Sequence, residues 1–302
     1  LVGSEMCIRD RGRAIEINSD ELAFYLSKYK SQITDQYLGG SIFTTAATSS
    51  IFKINNLFLG SVGKDNNSKF LIDIMNTYPI KTFLNVDPQN TGCCLIFLTP
   101  DKERTMAACP GASGQLTLAN FTETEDFDYI FSDLYSLNSV INKKTISHLL
   151  SSNKGLILSL SDISVMKKHM DFIKKYSDQI KIIAGNEDEM KYLEQAMNTS
   201  LISASKKNNK LYIVTKGSSG SLILHKGIEY VSEAIPAEVT SLNGAGDTFL
   251  GAFVGCYMET EDIQYSGDVA NYFSYVSVQQ NNACLKFSSL LKTKNAAKAA
   301  FL

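Results

Sequence analysis

Short apolar runs alternate with helical patterns along the chain from residue 129 onward. The runs are too short for helices and indicate buried strands, whereas the longer segments repeat apolar residues at helical spacing. The runs occupy 129–131, 156–160, 181–184 and 211–214, and the helical patterns occupy 143–150, 165–176, 187–197, 247–259 and 263–279. A strand pair at 221–225 and 229–232 surrounds Lys226-Gly227. Repeated strand–helix units predict an α/β fold with a mostly parallel sheet covered by helices.

The chain before residue 129 follows a different pattern. Its strand-like segments are 82–86, 92–99 and 104–109. The composition of residues 100–103, Pro-Asp-Lys-Glu, is typical of a tight turn between the last two segments. These segments predict a small antiparallel sheet beside the α/β body, and helices are predicted earlier at 18–30 and 44–53.

Size and composition are those of an ordinary soluble protein. A length of 302 residues suits one large domain, or a core domain with a small accessory one. The formal net charge of −2 gives no electrostatic reason to bind nucleic acid or a membrane surface, and the apolar runs are too short to span a bilayer. The six cysteines show no C-x-x-C spacing and form no metal-site pattern with the three histidines. We therefore expect a cytoplasmic protein.

The first eleven residues, LVGSEMCIRDR, do not have the layout of a signal peptide, because their apolar run is short and their charges are mixed. They resemble translated adapter sequence, and we interpret residues 1–11 as non-native. On this interpretation a natural first strand is missing, and we expect the chain to be poorly active without it.

A polar turn with two glycines, TSLNGAG at 240–246, runs directly into an apolar helical pattern. Gly244 and Gly246 therefore lie at a helix N-terminus, where free backbone N–H groups and the positive end of the helix dipole attract anions. Asp247 places a carboxylate in the first turn of that helix. A phosphate-binding site beside a potential base is what phosphoryl transfer to a hydroxyl requires.

Two other interpretations fit part of this segment. A dinucleotide-binding fingerprint needs G-x-G-x-x-G, and Gly251 follows Gly246 at the wrong spacing for it. A plain turn would use Asp247 only to complement the helix dipole. A plain turn is sufficient to explain a bare G-x-G-D, so the surrounding residues decide between the interpretations.

The longer string NGAGDTF at 243–249 closely resembles the C-terminal signature of the PfkB (ribokinase-like) family of carbohydrate and nucleoside kinases. The resemblance extends over about 14–287. It implies a ribokinase-like fold, with a central mostly parallel β-sheet flanked by helices and a small β-sheet lid. On this basis we assign 12–302 to a single kinase domain and place the lid strands mainly within 36–43 and 80–109.

The same resemblance implies a reaction. The expected activity is ATP-dependent phosphorylation of a primary hydroxyl on a nucleoside or sugar, with Mg2+. Asp247 would remove the hydroxyl proton, and the backbone N–H groups of Gly244, Ala245 and Gly246 would stabilise the developing negative charge. Asn243, just before them, would belong to the nucleotide site. A kinase of this kind takes a small-molecule substrate, and we expect a monomer or homodimer with no nucleic-acid or membrane partner.

The segment Asn186-Glu187-Asp188-Glu189 follows a predicted strand and opens a predicted helix. Asn186 as N-cap, with Glu189 three residues later, has the pattern of a capping box. The segment also resembles the family's N-x-x-E motif, which implies that Asn186 and Glu189 organise the magnesium–phosphate region and that Glu189 acts on the metal indirectly. The two interpretations are compatible, because a capped helix end can also support a hydrated cation.

Two further features resemble nucleotide-site positions of the family. The string TKGSSG at 215–220 matches T-x-G-x-x-G after a strand. This match implies that Thr215, Gly217 and Gly220 lie along the nucleotide. Asn271, in the late helix, stands where the family lines its adenine pocket.

Glycine-rich turns near the start of the chain resemble the family's N-terminal signature. Gly39 and Gly40 match a glycine pair beside the bound substrate, with Thr44, four residues after Gly40, at the position of an Asn that often follows the pair in the family. Residues 57–65, LFLGSVGKD, resemble G-x-x-G-x-D after a strand. Close backbone packing is the alternative interpretation of both turns.

Residues 91–92 and 101–106 resemble lid motifs of the adenosine-kinase-related branch of the family. Together with Asn243, they favour adenosine or a related nucleoside as the substrate, and a hexose or pentose is the alternative. Arg104 is either a solvated strand residue or a substrate contact.

The chain departs from the family pattern at several positions. Ser241 stands where Asp is usual, so dependence on an activating monovalent cation stays open. Thr44 replaces an Asn whose amide would reach sugar hydroxyls, and a threonine hydroxyl reaches less far. Ser68 stands where Gly is usual. The departures at 44 and 241 favour an alternative of another class, a degenerate member that binds a ligand with little turnover, whereas the intact Asp247 opposes it.

Overall fold

The computed structural model of the protein describes residues 14–98, 104–119, 121 and 127–301. The non-native interpretation of 1–11, the expected first strand and the predicted turn at 100–103 lie outside these residues, and so does the side chain of Arg104. None of the helices in the described ranges combines the length and the apolar character needed to cross a bilayer.

The described residues form strands and helices in the following order. The strands are β1 (Ala14–Glu16), β2 (Leu57–Val62), β3 (Lys81–Val86), β4 (Cys93–Leu98), β5 (Arg104–Cys109), β6 (Tyr129–Asp133), β7 (Gly155–Ser159), β8 (Ile180–Asn186), β9 (Leu211–Thr215), β10 (Ser221–His225) and β11 (Ile228–Ser232). The helices are α1 (Ser19–Lys28), α2 (Ser41–Ser49), α3 (Asn66–Met75), α4 (Val140–Leu150), α5 (Ile163–Lys175), α6 (Glu187–Met197), α7 (Leu201–Lys207), α8 (Ala245–Thr260), α9 (Ile263–Val278) and α10 (Phe287–Phe301). The strands and helices predicted from residue 129 onward are all present.

The main sheet confirms the predicted α/β architecture. In the described residues it has six strands in the order β11-β10-β9-β8-β7-β6. Strands β6 to β9 run parallel, and β10 runs antiparallel to both β9 and β11. Because β6 to β9 are parallel, their carboxyl ends meet at one edge of the sheet, where ligands bind in open α/β folds.

Helices cover both faces of this sheet. Alternate residues of β7 show the division, since Ile157 packs into one core and Leu156 and Leu158 pack into the other. Helices α2, α8, α9 and α10 contribute to the first core, and α4, α5, α6 and α7 contribute to the second. The chain therefore has the central sheet flanked by helices that a ribokinase-like fold requires.

A small three-stranded sheet, in the order β1-β5-β4, stands beside the main sheet. Strands β4 and β5 form the predicted antiparallel pair, and β1 adds parallel to β5. Helix α1 packs on one face through Tyr25, whose ring lies 5.9 Å from that of Phe97. The opposite face carries Cys94, Ile96 and Leu98, which are exposed.

The prediction that 82–86 belongs to this small antiparallel sheet is wrong. The segment lies in β3, which pairs in parallel with β2 in a separate two-stranded sheet. Helix α3 connects the two strands, as a parallel pair requires. Local apolar character identified the strand correctly, but its partner depends on the crossover helix.

The lid strand expected within 36–43 is also absent, although all of these residues are described. Residues 33–40 have no regular secondary structure, and α2 begins at Ser41. Gly40 ends the irregular segment with φ of +104°, a conformation that glycine adopts without strain. Phe43 and Ala47 then recur at helical spacing and are buried in the core, which fixes the segment as a helix.

Candidate active site

A cleft of about 2150 Å³ lies between the small sheet and the edge strand β6 of the main sheet, and residues that follow β6 and β7 at their carboxyl ends also line it. The turn before α2 contributes Gly39, Gly40 and Ser41 to its walls, and the start of α8 contributes Asn243 just before the helix. Residues of β4 and β6 line other parts of the wall. The structure therefore brings together the predicted substrate turn and the predicted phosphate-binding turn.

Two glycines at the N-terminus of α8 have different surroundings. Gly244 is tightly packed, whereas Gly246 adjoins open space. Gly244 is the N-cap with φ of +72°, and a Cβ there would lie 2.1 Å from the carbonyl oxygen of Ala283. A Cβ at Gly246 would meet no atom within 4 Å. Since the first N–H groups of a helix lack intrahelical acceptors, the open space at Gly246 is a place where an anion can meet them.

Asp247 lies in the first turn of α8 and is held by two hydroxyls from α2. Ser41 Oγ donates to Asp247 Oδ1 at 2.5 Å, and Thr45 Oγ1 donates to the Asp247 carbonyl oxygen at 3.2 Å. Burial raises the pKa of Asp247 to about 6; the Ser41 hydrogen bond opposes this shift and the charge of Asp133 adds to it. A carboxylate with a pKa near neutrality is suited to accept a proton in a reaction.

Asn186 and Glu189 form a complete capping box at the start of α6. Glu189 N donates to Asn186 Oδ1 at 2.9 Å, and the backbone N–H and side-chain amide of Asn186 donate to the two carboxylate oxygens of Glu189 at 3.0 and 2.7 Å. The Glu189 residue is 7% exposed, and burial raises its pKa against the effect of these hydrogen bonds, with the charge of Asp162 adding to the rise. The predicted cap is therefore present, and it holds a buried carboxylate in a fixed orientation.

Tyr135, which follows β6, is subject to the charges of carboxylates from several separate segments. Burial raises the pKa of the Tyr135 phenol, and the charges of Asp162, Glu189, Asp133 and Asp247 raise it further. Sequence reasoning did not single out Tyr135, Asp133 or Asp162. Asp133 is the last residue of β6 and Asp162 shortly follows β7, so position after a predicted parallel strand was the signal that could have found them.

Asp133 is fixed in place by the 3-10 turn that follows β6. The residue is 5% exposed, and its Oδ1 accepts hydrogen bonds from Ser136 N at 2.8 Å and Ser136 Oγ at 2.6 Å. Burial raises the pKa of Asp133 despite these bonds. Its charge also raises the pKa of Asp247.

The donor set at this edge of the sheet consists of carboxylate and amide oxygens, which suit Mg2+. Within the described residues, however, no group of three or more His, Cys, Asp or Glu side chains could hold a metal ion directly. The indirect role of Glu189 toward a metal stays a prediction.

The predicted nucleotide string lies beside the capping box. Thr215 is the register partner of Asn186 where β8 and β9 pair, and its Oγ1 donates to the Gly185 carbonyl oxygen at 3.4 Å. Gly217 has φ of +54°, and a Cβ there would meet no atom within 4 Å. Gly220 is instead tightly packed, because a Cβ would lie 2.0 Å from the Ser232 carbonyl oxygen. The open space at Gly217 can admit a ligand. At position 220 the close packing leaves no room for a side chain, so glycine is required there for the fold.

Two predicted contact residues are turned into the protein. Asn271 is buried, and its side-chain amide donates to Ser221 Oγ at 3.2 Å and to the Ser232 carbonyl oxygen at 2.9 Å. These bonds use both amide hydrogens within the fold, so the geometry does not support an adenine contact. Thr44 is 1% exposed, which does not support the predicted substrate contact through its hydroxyl.

Asp65, at the end of the glycine-rich segment 57–65, has a structural role in the described residues. Its carboxylate caps α3 through Ser68 N at 2.8 Å and also accepts from Thr91 N and Thr91 Oγ1 at 2.7 and 2.8 Å. Burial opposes ionisation, but these hydrogen bonds hold the pKa of Asp65 below its usual value. The motif therefore joins the chain before β4 to the start of α3.

Comparison with known proteins identifies the family to which this geometry belongs. The family model described as pfkB family carbohydrate kinase matches residues 12–289. The chain belongs to this family. It is therefore a carbohydrate or nucleoside kinase, a phosphotransferase that acts on an alcohol group.

The chain is similar to named relatives in sequence and to solved structures in fold. The adenosine kinase of Dictyostelium discoideum is 25% identical, over 94% of this chain and 92% of its own length. A probable sugar kinase from Rhizobium etli has the same fold, with a TM-score of 0.84 and 18% identity over 99% of this chain and 94% of that one. A putative ribokinase II from E. coli, solved in complex with ATP and Mg2+, has a TM-score of 0.74 and 18% identity over 87% of this chain and 90% of that one.

Proposed function

We propose that the protein transfers the γ-phosphoryl group of ATP to the primary hydroxyl of a nucleoside similar to adenosine. The observation that carries this proposal is the placement of Asp247, with its raised pKa, beside the open space at Gly246. A base and an anion site in adjacent helical positions match the requirements of phosphoryl transfer to a hydroxyl.

The residues present fit ATP and Mg2+. A Cβ at Gly246 or at Gly217 would meet no atom within 4 Å, so phosphates can approach the backbone there. Asn186, Glu189 and Thr215 lie together at the carboxyl ends of β8 and β9, where oxygens can order a hydrated cation. When bound, ATP supplies the transferred group and Mg2+ neutralises charge on its phosphates.

The chain's own groups have separate tasks in this reaction. Asp247 accepts the proton of the attacking hydroxyl while the new oxygen–phosphorus bond forms and the bond to the leaving ADP breaks. The backbone N–H groups of Gly244, Ala245 and Gly246 stabilise the charge that develops on the phosphoryl oxygens. With a pKa of about 6, Asp247 is mostly ionised at pH 7 and releases the proton to solvent after transfer.

The character of the cleft favours a nucleoside over a free sugar. The exposed face of β4 lines the cleft with Cys94, Ile96 and Leu98, and the last two are 43% and 66% exposed. Burying this apolar surface under a flat purine base is favourable, because both surfaces leave water. A free sugar presents hydroxyls, and these apolar side chains cannot form hydrogen bonds with them. The likeness to a named adenosine kinase supports the same choice.

An acceptor comparison tests the proposal. The protein is incubated with ATP and Mg2+ and with adenosine, ribose or fructose in separate reactions, and both ADP and the phosphorylated product are measured. We expect phosphorylated adenosine at the highest kcat/KM. Transfer to a sugar alone would overturn the nucleoside assignment and leave the kinase reaction in place. Binding of an acceptor with no transfer in any reaction would favour the degenerate, ligand-binding alternative.

The role of Glu189 is tested by Glu189→Gln. A glutamine can still accept the hydrogen bond from Asn186 N, so the helix cap is retained, while the negative charge and the acceptor for the Asn186 side-chain amide are removed. We expect the Mg2+ concentration for half-maximal rate to rise about tenfold, the usual scale for an outer-shell partner of a metal. The measurement is a Mg2+ titration of the rate, with a thermal melt of each variant.

Glu21→Gln is the matched control for this substitution. Glu21 closes a capping box with Asn18 at the start of α1, and its carboxylate accepts from Asn18 N at 2.8 Å. Because Glu21 is exposed and is not among the residues that line the cleft, we expect no change in Mg2+ dependence there. If Glu189→Gln gives a wild-type Mg2+ titration and only a lower melting temperature, then Glu189 serves the cap alone.

A further inference from the structure

Two helix N-termini converge on Asp247. One is the start of α8, which carries Asp247 itself, and the other is the start of α2, which carries Ser41. Ser41 immediately follows the glycine pair Gly39-Gly40 that lines the cleft. Its hydroxyl donates to Asp247 Oδ1 at 2.5 Å, so a residue adjoining the predicted substrate turn is bonded directly to the predicted base.

The packing of α2 against α8 fixes this contact. A Cβ at Gly251 of α8 would lie 2.5 Å from the Thr45 carbonyl oxygen and 2.8 Å from Thr48 Cβ, so the two helices are in close backbone contact. Thr45, one turn after Ser41, adds a hydrogen bond to the Asp247 carbonyl oxygen at 3.2 Å. The distance between Ser41 and Asp247 is therefore set by the helix pair and not by a mobile side chain.

We propose that Ser41 is a positioning residue, which holds Oδ1 of Asp247 so that Oδ2 is presented to the acceptor hydroxyl. This inference rests on the proposed function, because it assigns a partner to the base of that reaction. A carboxylate with one oxygen fixed has a defined orientation, and productive transfer requires the base within hydrogen-bond reach of the proton it removes.

The same hydrogen bond adjusts the acidity of the base. Donation to the ionised carboxylate stabilises the charged form, so Ser41 lowers the pKa of Asp247 against the effect of burial. The titratable groups that face Asp247 in the described residues are Asp133 at the end of β6, Tyr135 after it, and Cys284 before α10. A substitution at Ser41 leaves all of them in place, so a change in the titration of Asp247 reports the lost hydroxyl.

The test is Ser41→Ala with Ser41→Thr as the conservative variant. For Ser41→Ala we expect kcat to fall on the order of tenfold with little change in KM, because the base loses its orientation but the cleft keeps its walls. The midpoint of the acid limb of the kcat/KM profile should move above the wild-type value. Ser41→Thr retains a hydroxyl and should recover most of the rate and the wild-type midpoint.

Ser50→Ala is the matched control, since it removes a hydroxyl just beyond the far end of the same helix. Ser50 Oγ donates to the Ala47 carbonyl oxygen at 2.7 Å and does not contact Asp247. We expect this variant to keep the wild-type kcat and pH midpoint. A wild-type kcat and midpoint in Ser41→Ala would overturn the proposal, and so would a rise in kcat, which would show that Ser41 competes with the acceptor.

A second measurement separates this inference from the proposed function. The carboxyl group of Asp247 is titrated by NMR in protein labelled with carbon-13 at aspartate side chains, and its signal is assigned by its loss in Asp247→Asn. We expect a higher carboxyl pKa in Ser41→Ala than in wild type, and no change in Ser50→Ala. If the wild-type protein transfers no phosphate but the pKa rises, the kinase proposal fails while the contact stands. An unchanged pKa would overturn the role of Ser41 whether or not transfer occurs.

Discussion

Asp247→Asn is expected to lower kcat by at least about a hundredfold, the usual scale for loss of a general base. The asparagine side chain has nearly the same shape and can still accept a hydrogen bond from Ser41 Oγ, so the substitution removes proton acceptance and leaves the packing of α2 on α8. The rate is measured with ATP, Mg2+ and adenosine at saturating concentrations. Nearly unchanged turnover would show that another group removes the proton.

The stability of Asp247→Asn provides the control. The folded-state pKa of Asp247, about 6, lies above the ordinary value of 3.8 because burial disfavours the charged form. A group with a raised folded-state pKa stabilises the fold at low pH, and this contribution is lost as pH rises through about 6. Asparagine carries no charge to bury, so we expect the variant to melt at the wild-type temperature or above it at pH 7.5. A loss of activity with lower stability would indicate misfolding instead.

The pH dependence of the wild-type enzyme follows from the same shift. The ionised form of Asp247 is the one that accepts a proton, so kcat/KM should fall as pH decreases through about 6. Asp133 and Ser41 act on this midpoint in opposite directions, since the charge of Asp133 raises the pKa of Asp247 and the Ser41 hydrogen bond lowers it.

The main sheet could be predicted from the sequence because its signals are local. The apolar runs of β6 to β9 and the helical periods between them are visible in the order of residues, and parallel strands follow from their alternation. The partner of β3 could not be predicted in the same way. Its own residues indicate a strand, but pairing with β2 depends on α3 returning the chain, which is a property of the tertiary fold.

Side-chain direction separates the predicted site residues that reach the cleft from those that do not. A sequence motif predicts that Thr44 and Asn271 lie near the site, but it does not predict side-chain direction. The packing of α2 and α9 turns both side chains into the core. The contact between Ser41 and Asp247 joins residues far apart in sequence, so neither residue predicts the other. By contrast, Asn186 and Glu189 are three positions apart on one helix turn, and their contact could be predicted from the sequence alone.

Gly246→Ala is expected to lower kcat by about a hundredfold or more without destabilising the protein. Gly246 is not in the left-handed region, and an added Cβ meets no protein atom within 4 Å, so the fold has no reason to reject alanine. The methyl group instead occupies the space in which the phosphoryl oxygens approach the N–H groups of α8. Loss of a single preorganised donor to a developing negative charge commonly costs 10²–10³ in kcat, roughly the scale expected here.

Gly244→Ala is the paired variant, and it should behave in the opposite way. With φ of +72° and a Cβ placed 2.1 Å from the Ala283 carbonyl oxygen, alanine forces the backbone to move. The strain of a non-glycine residue in this region costs on the order of 1–3 kcal/mol, so the melting temperature should fall. Gly246→Ala should therefore lose activity and keep its melting temperature, whereas Gly244→Ala should lose stability. Wild-type kcat in a fully folded Gly246→Ala variant would mean that the transferred group does not pass over the start of α8.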